Sequence, residues 1–395
     1  MGAAPGLLLP PADWWQGAKT QAVLRALQGE ARFVGGAVRD ALLGLPVHDI
    51  DLATPLPPET VMARARAAGL KAIPTGLEHG TITLVSGGKP FEVTTLRRDV
   101  ATDGRHAIVA FTEQWLDDAA RRDFTLNALY ADGAGRVYDP VGGLPDLQAG
   151  HLRFIGDARA RIAEDYLRIL RYFRFQARYG RVPPDPGLLA ILAECAPGLD
   201  RLSAERIWSE LKKLLACTDP RASLEAMQQS GILRRILPEA RADAGPILAA
   251  LPAAPGWAAR LLALLPEGAG LPGYAGRLRW SKEELHFLSI AQQMAETELS
   301  YPYGLLRRWG PEPLKTGILV RAARGNPDRL PWLPLLEIPL PAFPIGGADV
   351  QALGVAPGPV MGKLLSEAER WWESGGCRAN RAETLAYLAE ILPPE

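Results

Sequence analysis

The sequence predicts an α+β fold, in which a head of mixed strands and helices precedes an all-helical remainder. Up to about residue 150, short alternating apolar segments stand between helix-like ones, and residues 80–96 read as a β-hairpin around a glycine pair. From about residue 158 onward, strand signals disappear and helical periodicity takes over. At 395 residues the chain is too long for one ordinary core, so we expect several domains.

Composition narrows the classes of protein to consider. The 44 Lys and Arg residues balance 44 Asp and Glu residues, so a surface for nucleic acid must be a local patch. Cys195, Cys217 and Cys377 lie far apart and fit neither a zinc site nor a disulfide framework. No apolar run approaches the length of a membrane span, and the N-terminus lacks the features of a signal peptide. We therefore expect a soluble cytoplasmic protein with no membrane partner.

One stretch, Phe33 to Thr54 (FVGGAVRDALLGLPVHDIDLAT), has the composition of a phosphate and metal site. Alternate residues of a strand project to one face, so Asp49 and Asp51 should point the same way while the residues beside them turn inward. Divalent cations prefer oxygen ligands, and backbone N–H groups in a glycine turn such as Gly35-Gly36 can hold phosphate. The stretch therefore predicts a seat for a divalent metal and a triphosphate.

Other residues of the head have two interpretations each. Two-metal phosphoryl transfer usually uses a third acidic group, and Glu92 in a strand-like segment is the best choice; the alternative is an exposed strand glutamate without a role. Arg39 can contact nucleotide phosphates through its planar donor fork, or it can pair locally with Asp40. The Gly35-Gly36 turn can also be a tight turn without a ligand.

A helix predicted over Glu164 to Tyr179 (EDYLRILRYFRFQARY) carries regularly spaced charges. Asp165 and Arg168 are three residues apart and should be neighbours on one face, and Arg171 and Arg174 continue at the same spacing. One interpretation is surface ion pairing. The other is that an Asp and an Arg beside a nucleotide site present acceptors and donors to the edge of a base.

Several further patterns limit the alternatives. Residues 97–106 read as a polar loop with a strand returning at 108–111, and the proline-rich segment 328–344 reads as a linker or a wrapped connection. Gly-x-Ser-x-Gly, Walker A and dinucleotide-binding fingerprints are missing from the sequence, and its histidines form no pair at metal-ligand spacing. Serine hydrolases, P-loop NTPases and Rossmann oxidoreductases therefore have little support.

Four segments together resemble a known family. GGAVRDALLGLPVHDIDLAT, FEVTTLRRD, RRDFTLNAL and EDYLRILRYFRF, in this order and spacing, are similar to the bacterial and eukaryotic type of CCA-adding tRNA nucleotidyltransferases and their poly(A) polymerase relatives. The resemblance implies a polymerase-β-like nucleotidyltransferase head over residues 1–150. It also implies an all-helical neck (151–220), body (221–310) and tail (311–395) that hold tRNA.

The resemblance also implies roles for individual residues. Asp49 and Asp51 would hold Mg²⁺, and residues 97–106 would resemble a mobile loop that helps to switch from C to A addition. Gly35 and Gly36 belong to the phosphate turn. The incoming nucleotide would meet Gly36, Arg39 and Arg122, the base would pair with Asp165 and Arg168, and Arg171 and Arg174 would support that site or the phosphates. Glu92 as the third carboxylate rests on its strand position alone.

The implied activity is template-independent addition of C, C and A to tRNA 3′ ends from CTP and ATP. Poly(A) polymerases carry a more basic segment before the second aspartate pair than Leu45 to His48 provides, which favours CCA addition. A poly(A) polymerase, a split C-adding or A-adding enzyme and a non-catalytic RNA-binding protein on the same head remain the alternatives.

Overall fold

The head is built on a seven-stranded mixed sheet. The computed structural model describes residues 7–102, 107–299 and 302–392, and the side chains of residues 99–102 and 107–109 are not described. The sheet has the order β3-β4-β5-β2-β1-β8-β9, and a separate hairpin pairs β6 with β7. The strands are β1 Arg32–Val34, β2 Asp51–Thr54, β3 Lys71–Gly76, β4 Thr81–Ser86, β5 Lys89–Thr95, β6 Arg97–Thr102, β7 Ala107–Phe111, β8 Tyr130–Ala131 and β9 Val137–Tyr138.

One parallel pair lies at the centre of this sheet. β2 runs parallel to β5, whereas the other pairs of neighbouring strands in the sheet are antiparallel. The hairpin predicted over residues 80–96 is confirmed as β4 and β5. Parallel strands need a long connection, and α4 (Pro58–Ala67), β3 and β4 lie between β2 and β5 in the chain. This topology places β5, which carries Glu92, directly beside β2, the strand of the predicted metal site.

Helices alternate with the strands in the first part of the chain, and after β9 the described regular elements are helical. The helices of the first part are α1 Asp13–Gln16, α2 Ala18–Ala26, α3 Gly36–Leu42, α4, α5 Trp115–Ala120, α6 Gly143–Ala149, α7 Ala158–Glu164, α8 Leu167–Tyr179, α9 Pro186–Cys195, α10 Ala204–Leu215, α11 Arg221–Gln229 and α12 Ile232–Ile236. The later helices are α13 Ala244–Ala250, α14 Gly256–Leu264, α15 Leu271–Leu278, α16 Lys282–Glu296, α17 Pro302–Trp309, α18 Pro311–Ala323, α19 Gly347–Ala352, α20 Pro359–Ser374 and α21 Arg381–Glu390. The predicted α+β fold is confirmed.

The chain divides into two compact units. Unit 1 comprises Met1–Glu210 and Ala222–Ile236, and unit 2 comprises Leu211–Arg221 and Leu237–Glu395. Both strand assemblies lie in unit 1, and in the described part of unit 2 the regular elements are helical. The finer division into head, neck, body and tail, with limits at residues 150, 220 and 310, stays a prediction.

An aromatic cluster packs α8 against the head within unit 1. The ring of Phe124, next to the Arg121-Arg122-Asp123 segment, lies 4.8 Å from Phe154 and 5.2 Å from Phe175 between centroids. Phe124 and Phe154 also form an isolated β-bridge. Large buried aromatic rings contribute much apolar contact area and restrict geometry. The cluster therefore fixes the face that α8 presents to the head.

The structure corrects or decides between the sequence predictions for three segments. The polar segment 97–106 is not a loop throughout, because Arg97–Thr102 forms β6 and pairs with β7; residues 103–106 lie outside the described residues. Of the two predictions for the proline-rich segment, the wrapped connection agrees with the structure and the linker does not, since Leu330–Glu337 forms a 3-10 helix with Leu336 buried in the core of unit 2. The helix predicted over Glu164–Tyr179 is also interrupted, and the interruption lies at the candidate site.

Candidate active site

The two aspartates of the predicted metal stretch lie at the start of β2. Asp51 is the first residue of this strand and Asp49 lies two residues before it. Both are exposed, whereas Ile50 is 4% and Leu52 0% exposed. The predicted alternation is therefore confirmed, and its cause is the two-residue period of extended chain over an apolar core.

Glu92 lies directly beside Asp51 on the neighbouring strand. The parallel register pairs Asp51 with Glu92, and paired residues of adjacent strands project to the same face. Although Asp51 is exposed at the cavity, partial desolvation by the surrounding residues raises its pKa, the charges of Glu92 and Asp49 raise it further, and Arg122 opposes them. Negative charge therefore accumulates at this edge, which is an environment that a cation would stabilise.

The acidic side chains at this edge do not by themselves form a complete set of metal ligands. Across the described ranges of the chain, no group of three or more His, Cys, Asp and Glu side chains is placed to hold a metal ion. Mg²⁺ in phosphoryl-transfer sites is commonly held by one or two carboxylates together with waters and substrate phosphates. Asp49 and Asp51 fit that donor set.

A glycine turn faces the aspartates. Gly35 joins β1 to α3 with φ +65° and ψ −119°, a conformation that side chains strain. A Cβ at Gly35 would lie 3.5 Å from Arg122 Nη1, and one at Gly36 would lie 3.6 Å from Arg39 Nη2. Two guanidinium groups thus border the turn, where backbone and cation donors together suit a phosphate.

Arg39 forms the local ion pair that is one interpretation of its sequence position, and it also lines the cavity. Its side chain is buried, its Nε donates to Asp40 Oδ1 at 2.8 Å, and Nη1 donates to Asn127 Oδ1. The guanidinium lies 4.1 Å from the ring centroid of Tyr179, whose hydroxyl donates to Asp40 at 3.0 Å. The local ion pair is therefore real, and it holds Arg39 at the cavity wall.

The helix predicted over Glu164–Tyr179 is broken at Asp165, which is a correction. α7 ends at Glu164, Asp165 has extended φ and ψ angles (−154°, 106°), and α8 begins at Leu167. The Asp165 carboxylate accepts the Leu167 N–H at 3.1 Å. Aspartate favours such local bonds over helix continuation, and periodicity alone does not reveal them.

Asp165 and Arg168 both line the cavity, and their side chains bind different partners. Asp165 Oδ2 accepts from Arg206 Nη2 at 2.7 Å, and Arg168 Nη1 donates to Glu164 and, at 2.6 Å, to the Arg161 carbonyl. The sequence spacing predicts Asp165 and Arg168 as neighbours on one face of a helix; their side chains are instead anchored separately. Each keeps its polar group at the same cavity.

The remaining arginines of α8 have acidic partners. Arg171 donates to Asp123 through Nε at 2.8 Å and Nη2 at 2.6 Å, and Arg174 Nε donates to Glu210 at 2.6 Å. Asn127 also donates to Asp123, at 2.9 Å. This pairing favours a supporting role for Arg171 and Arg174.

All the predicted site residues except Glu92 meet in one cavity of about 660 Å³, which lies within unit 1. Sequence reasoning missed four polar residues of its wall, Arg121, Asp123, Asn127 and Arg206. The first three belong to the RRDFTLNAL segment, so that motif could have indicated them. No local sequence pattern marks Arg206 as a site residue. The lining comprises Gly35, Gly36, Arg39, Asp49, Asp51, Arg121, Arg122, Asp123, Asn127, Asp165, Leu167, Arg168, Arg171, Arg174, Phe175 and Arg206.

In the part of the chain that the structure describes, none of the helices is long and apolar enough to cross a bilayer.

Comparison with known proteins places this site in context. Residues 31–153 match the family described as the poly A polymerase head domain, and residues 184–243 match one described as a probable RNA and SrmB-binding site of polymerase A. The chain is 34% identical to the mitochondrial CCA tRNA nucleotidyltransferase 1 of Mus musculus, over 91% of this chain and 86% of that protein. It is 33% identical to the CCA-adding enzyme of Streptococcus sanguinis (strain SK36), over 96% and 98%.

The fold agrees with these sequence relationships. The crystal structure of the Bacillus stearothermophilus CCA-adding enzyme in complex with CTP superposes with a TM-score of 0.76 at 27% identity, covering 95% of this chain and 97% of that one. Identity above 30% over nearly the whole length, a shared fold and a cavity with two aspartates, a glycine turn and clustered arginines agree with one another. This chain belongs to the family of CCA-adding tRNA nucleotidyltransferases.

Proposed function

We propose that this protein adds C, C and A to the 3′ ends of tRNA from CTP and ATP, releasing pyrophosphate. The observation that carries the proposal is the convergence of Asp49 and Asp51 with the polar groups of Asp165 and Arg168 in one cavity. The first pair supplies charge for phosphoryl transfer, and the second supplies an acceptor and a donor for the edge of a base. Relatives named for this activity match nearly the whole chain.

The phosphates bind at the glycine turn. Arg122 Nη1 and Arg39 Nη2 border Gly35 and Gly36, so a triphosphate there meets two guanidinium groups. The tRNA 3′-hydroxyl attacks the α-phosphorus, the α–β phosphoanhydride bond breaks, and pyrophosphate leaves. Fixed positive charge at the turn stabilises the charge that develops on the phosphoryl oxygens.

Asp49 and Asp51 would hold Mg²⁺, which would supply Lewis-acid stabilisation of the phosphates and make the attacking hydroxyl more acidic. Glu92 acts as the third acidic group through its effect on Asp51. Metal binding needs both groups as carboxylates, and the charge of Glu92 adds to desolvation in raising the pKa of Asp51.

Base selection belongs to Asp165 and Arg168. Their partners Arg206 and Glu164 hold the carboxylate and guanidinium in place while both remain at the cavity. Preorganised donors and acceptors reject a base that leaves them unpaired. Arg171 and Arg174 support this wall through Asp123 and Glu210.

The cytoplasmic location suggested by the cysteines stays a prediction, because the relatives include mitochondrial enzymes.

A product ladder tests the proposal. The full-length protein is incubated with Mg²⁺ and tRNA ending at the discriminator base, with CTP alone, ATP alone, and both. We expect addition of two C residues with CTP alone and a stop after C, C, A with both. Long A tails from ATP alone would instead identify a poly(A) polymerase, and no addition with tRNA binding retained would identify a non-catalytic RNA-binding protein.

A further inference from the structure

A buried carboxylate lies behind the arginines of the cavity wall. Asp118, in α5, is 1% exposed and is absent from the cavity lining. Its Oδ1 accepts from Arg121 through Nε at 2.8 Å and lies 2.7 Å from Arg121 Nη2. Its Oδ2 accepts from Arg122 through Nε at 3.2 Å and Nη2 at 2.9 Å, and from the Tyr130 hydroxyl at 2.8 Å.

These contacts determine which edge of Arg122 reaches the site. Nε and Nη2 bind Asp118, so the remaining nitrogen, Nη1, turns towards Gly35, 3.5 Å from where a Cβ there would stand. A guanidinium is planar, so holding Nε and Nη2 on Asp118 Oδ2 fixes the direction in which Nη1 points. Asp118 thereby determines where the donor at the phosphate turn points.

The charge state of Asp118 agrees with this arrangement. Burial alone would raise its pKa, but Arg122, Arg121 and the Tyr130 hydroxyl outweigh burial and hold the pKa of Asp118 at about 2. The carboxylate is therefore ionised throughout the range in which the protein would act. Tyr130 is itself fully buried in the core of the head, which anchors the network to the sheet through β8.

We propose that Asp118 is a positioning residue for the nucleotide triphosphate, holding Arg122 so that its Nη1 edge faces the phosphate turn. The inference rests on the proposed function and deepens it. Asp118 does not touch substrate in this arrangement. Its effect on catalysis passes through Arg122, and this distinguishes it from a carboxylate that only stabilises the fold.

The test combines Asp118→Asn with a matched control. Asparagine keeps the shape but loses charge and presents an amide donor to the arginines, so we expect the KM for CTP to rise about 10- to 100-fold, as for loss of a supporting partner. The Kd for tRNA should stay unchanged. Asp117→Asn makes the same change on the same helix, where the carboxylate accepts only from Thr112 among the bonds the structure describes, and it should retain wild-type KM.

A double-mutant cycle separates positioning from a purely structural role. In the Arg122→Ala background, Asp118→Asn should cost less than about threefold further in kcat/KM, because the group through which it acts is already missing. Multiplicative losses of the two substitutions would overturn the proposal. So would a wild-type KM for CTP in a folded Asp118→Asn protein.

A milder variant covers the case in which Asp118→Asn does not fold. Tyr130→Phe removes one hydroxyl donor and keeps the ring, and it should raise the KM for CTP about fivefold, the equivalent of one hydrogen bond. An unchanged KM in Tyr130→Phe would then contradict the proposal. Failure of the wild-type protein to extend tRNA would instead overturn the proposed function, so the two failures are distinguishable.

Discussion

At the scale of single residues, Asp51 shows how function and stability oppose each other. Asp51 is exposed at the cavity, but its carboxylate is partly desolvated there and lies near Glu92 and Asp49; the desolvation and these charges raise its pKa. An acid whose pKa is higher in the folded than in the unfolded state destabilises the fold when ionised. Catalytic sites commonly retain such groups because the chemistry needs the charge.

Asp51→Asn should therefore abolish activity and increase stability. We expect nucleotide addition to fall by more than about 100-fold, since a direct metal ligand should matter more than its supporting partners. The unfolding midpoint should rise at pH 7. The gain should shrink as pH falls through the raised pKa of Asp51 and vanish below the ordinary aspartate pKa, where both states are protonated. Denaturant unfolding at pH 7 and pH 3.5 measures it; a stability loss at pH 7 would contradict the assignment.

Glu92→Gln should move the titration of Asp51 in a defined direction. Removing the neighbouring charge lowers the pKa of Asp51, so this carboxylate stays ionised to lower pH. In the metal-free protein, the midpoint of the Asp51 titration, followed by NMR of its carboxyl carbon, should shift to lower pH. Glu78→Gln, a matched change at an exposed glutamate away from the cavity, should leave the midpoint in place. A midpoint that stays or moves upward in Glu92→Gln would contradict the coupling.

At the scale of elements, the break between α7 and α8 shapes the base-reading wall. A continuous helix from Glu164 would place Asp165 on its surface. The break instead frees the carboxylate to accept from the Leu167 N–H and from Arg206, which α10 supplies. The position of the acceptor thus depends on two helices and a tertiary contact rather than on the spacing of Asp165 and Arg168.

Arg206→Ala should for this reason relax nucleotide choice more than it slows addition. Without the 2.7 Å contact, the Asp165 carboxylate is less restricted, and an unrestricted acceptor discriminates less. We expect incorporation of UTP and GTP relative to CTP and ATP to rise about tenfold, the equivalent of one charged hydrogen bond. Single-nucleotide competition assays measure the ratio. Arg159→Ala, which removes an exposed pair with Glu194, is the control, and equal selectivity in both variants would contradict the assignment.

At the scale of the whole molecule, the two units use their arginines differently. In unit 1, seven arginines line the cavity, so a chain with zero net charge places many positive groups at the site. In unit 2, buried arginines close helix ends. Arg329, 2% exposed, donates to the carbonyls of Met294 and, at 2.6 Å, Thr297 at the end of α16, and lies 5.4 Å from the Trp332 ring.

Arg329→Ala should destabilise unit 2 by about 3 kcal/mol, because it leaves buried carbonyl groups without their donor and removes packing against Trp332. Arg381→Ala, which breaks an exposed pair with Asp349, should cost less than about 1 kcal/mol. Denaturant unfolding of the full chain provides the comparison. Equal effects of the two substitutions would contradict a capping role for Arg329.

The sequence by itself determined the α+β class, the β4–β5 hairpin and the projection of Asp49 and Asp51 to one face, because these follow from local periodicity and turn chemistry. The motif segments identified the family for the same reason: each is a short, contiguous pattern. Only the tertiary structure decided what surrounds them. The register that sets Glu92 beside Asp51, the contact between Arg206 and Asp165, and the burial of Asp118 behind Arg122 join residues from separate elements, and their energies depend on burial and distance that no local pattern encodes.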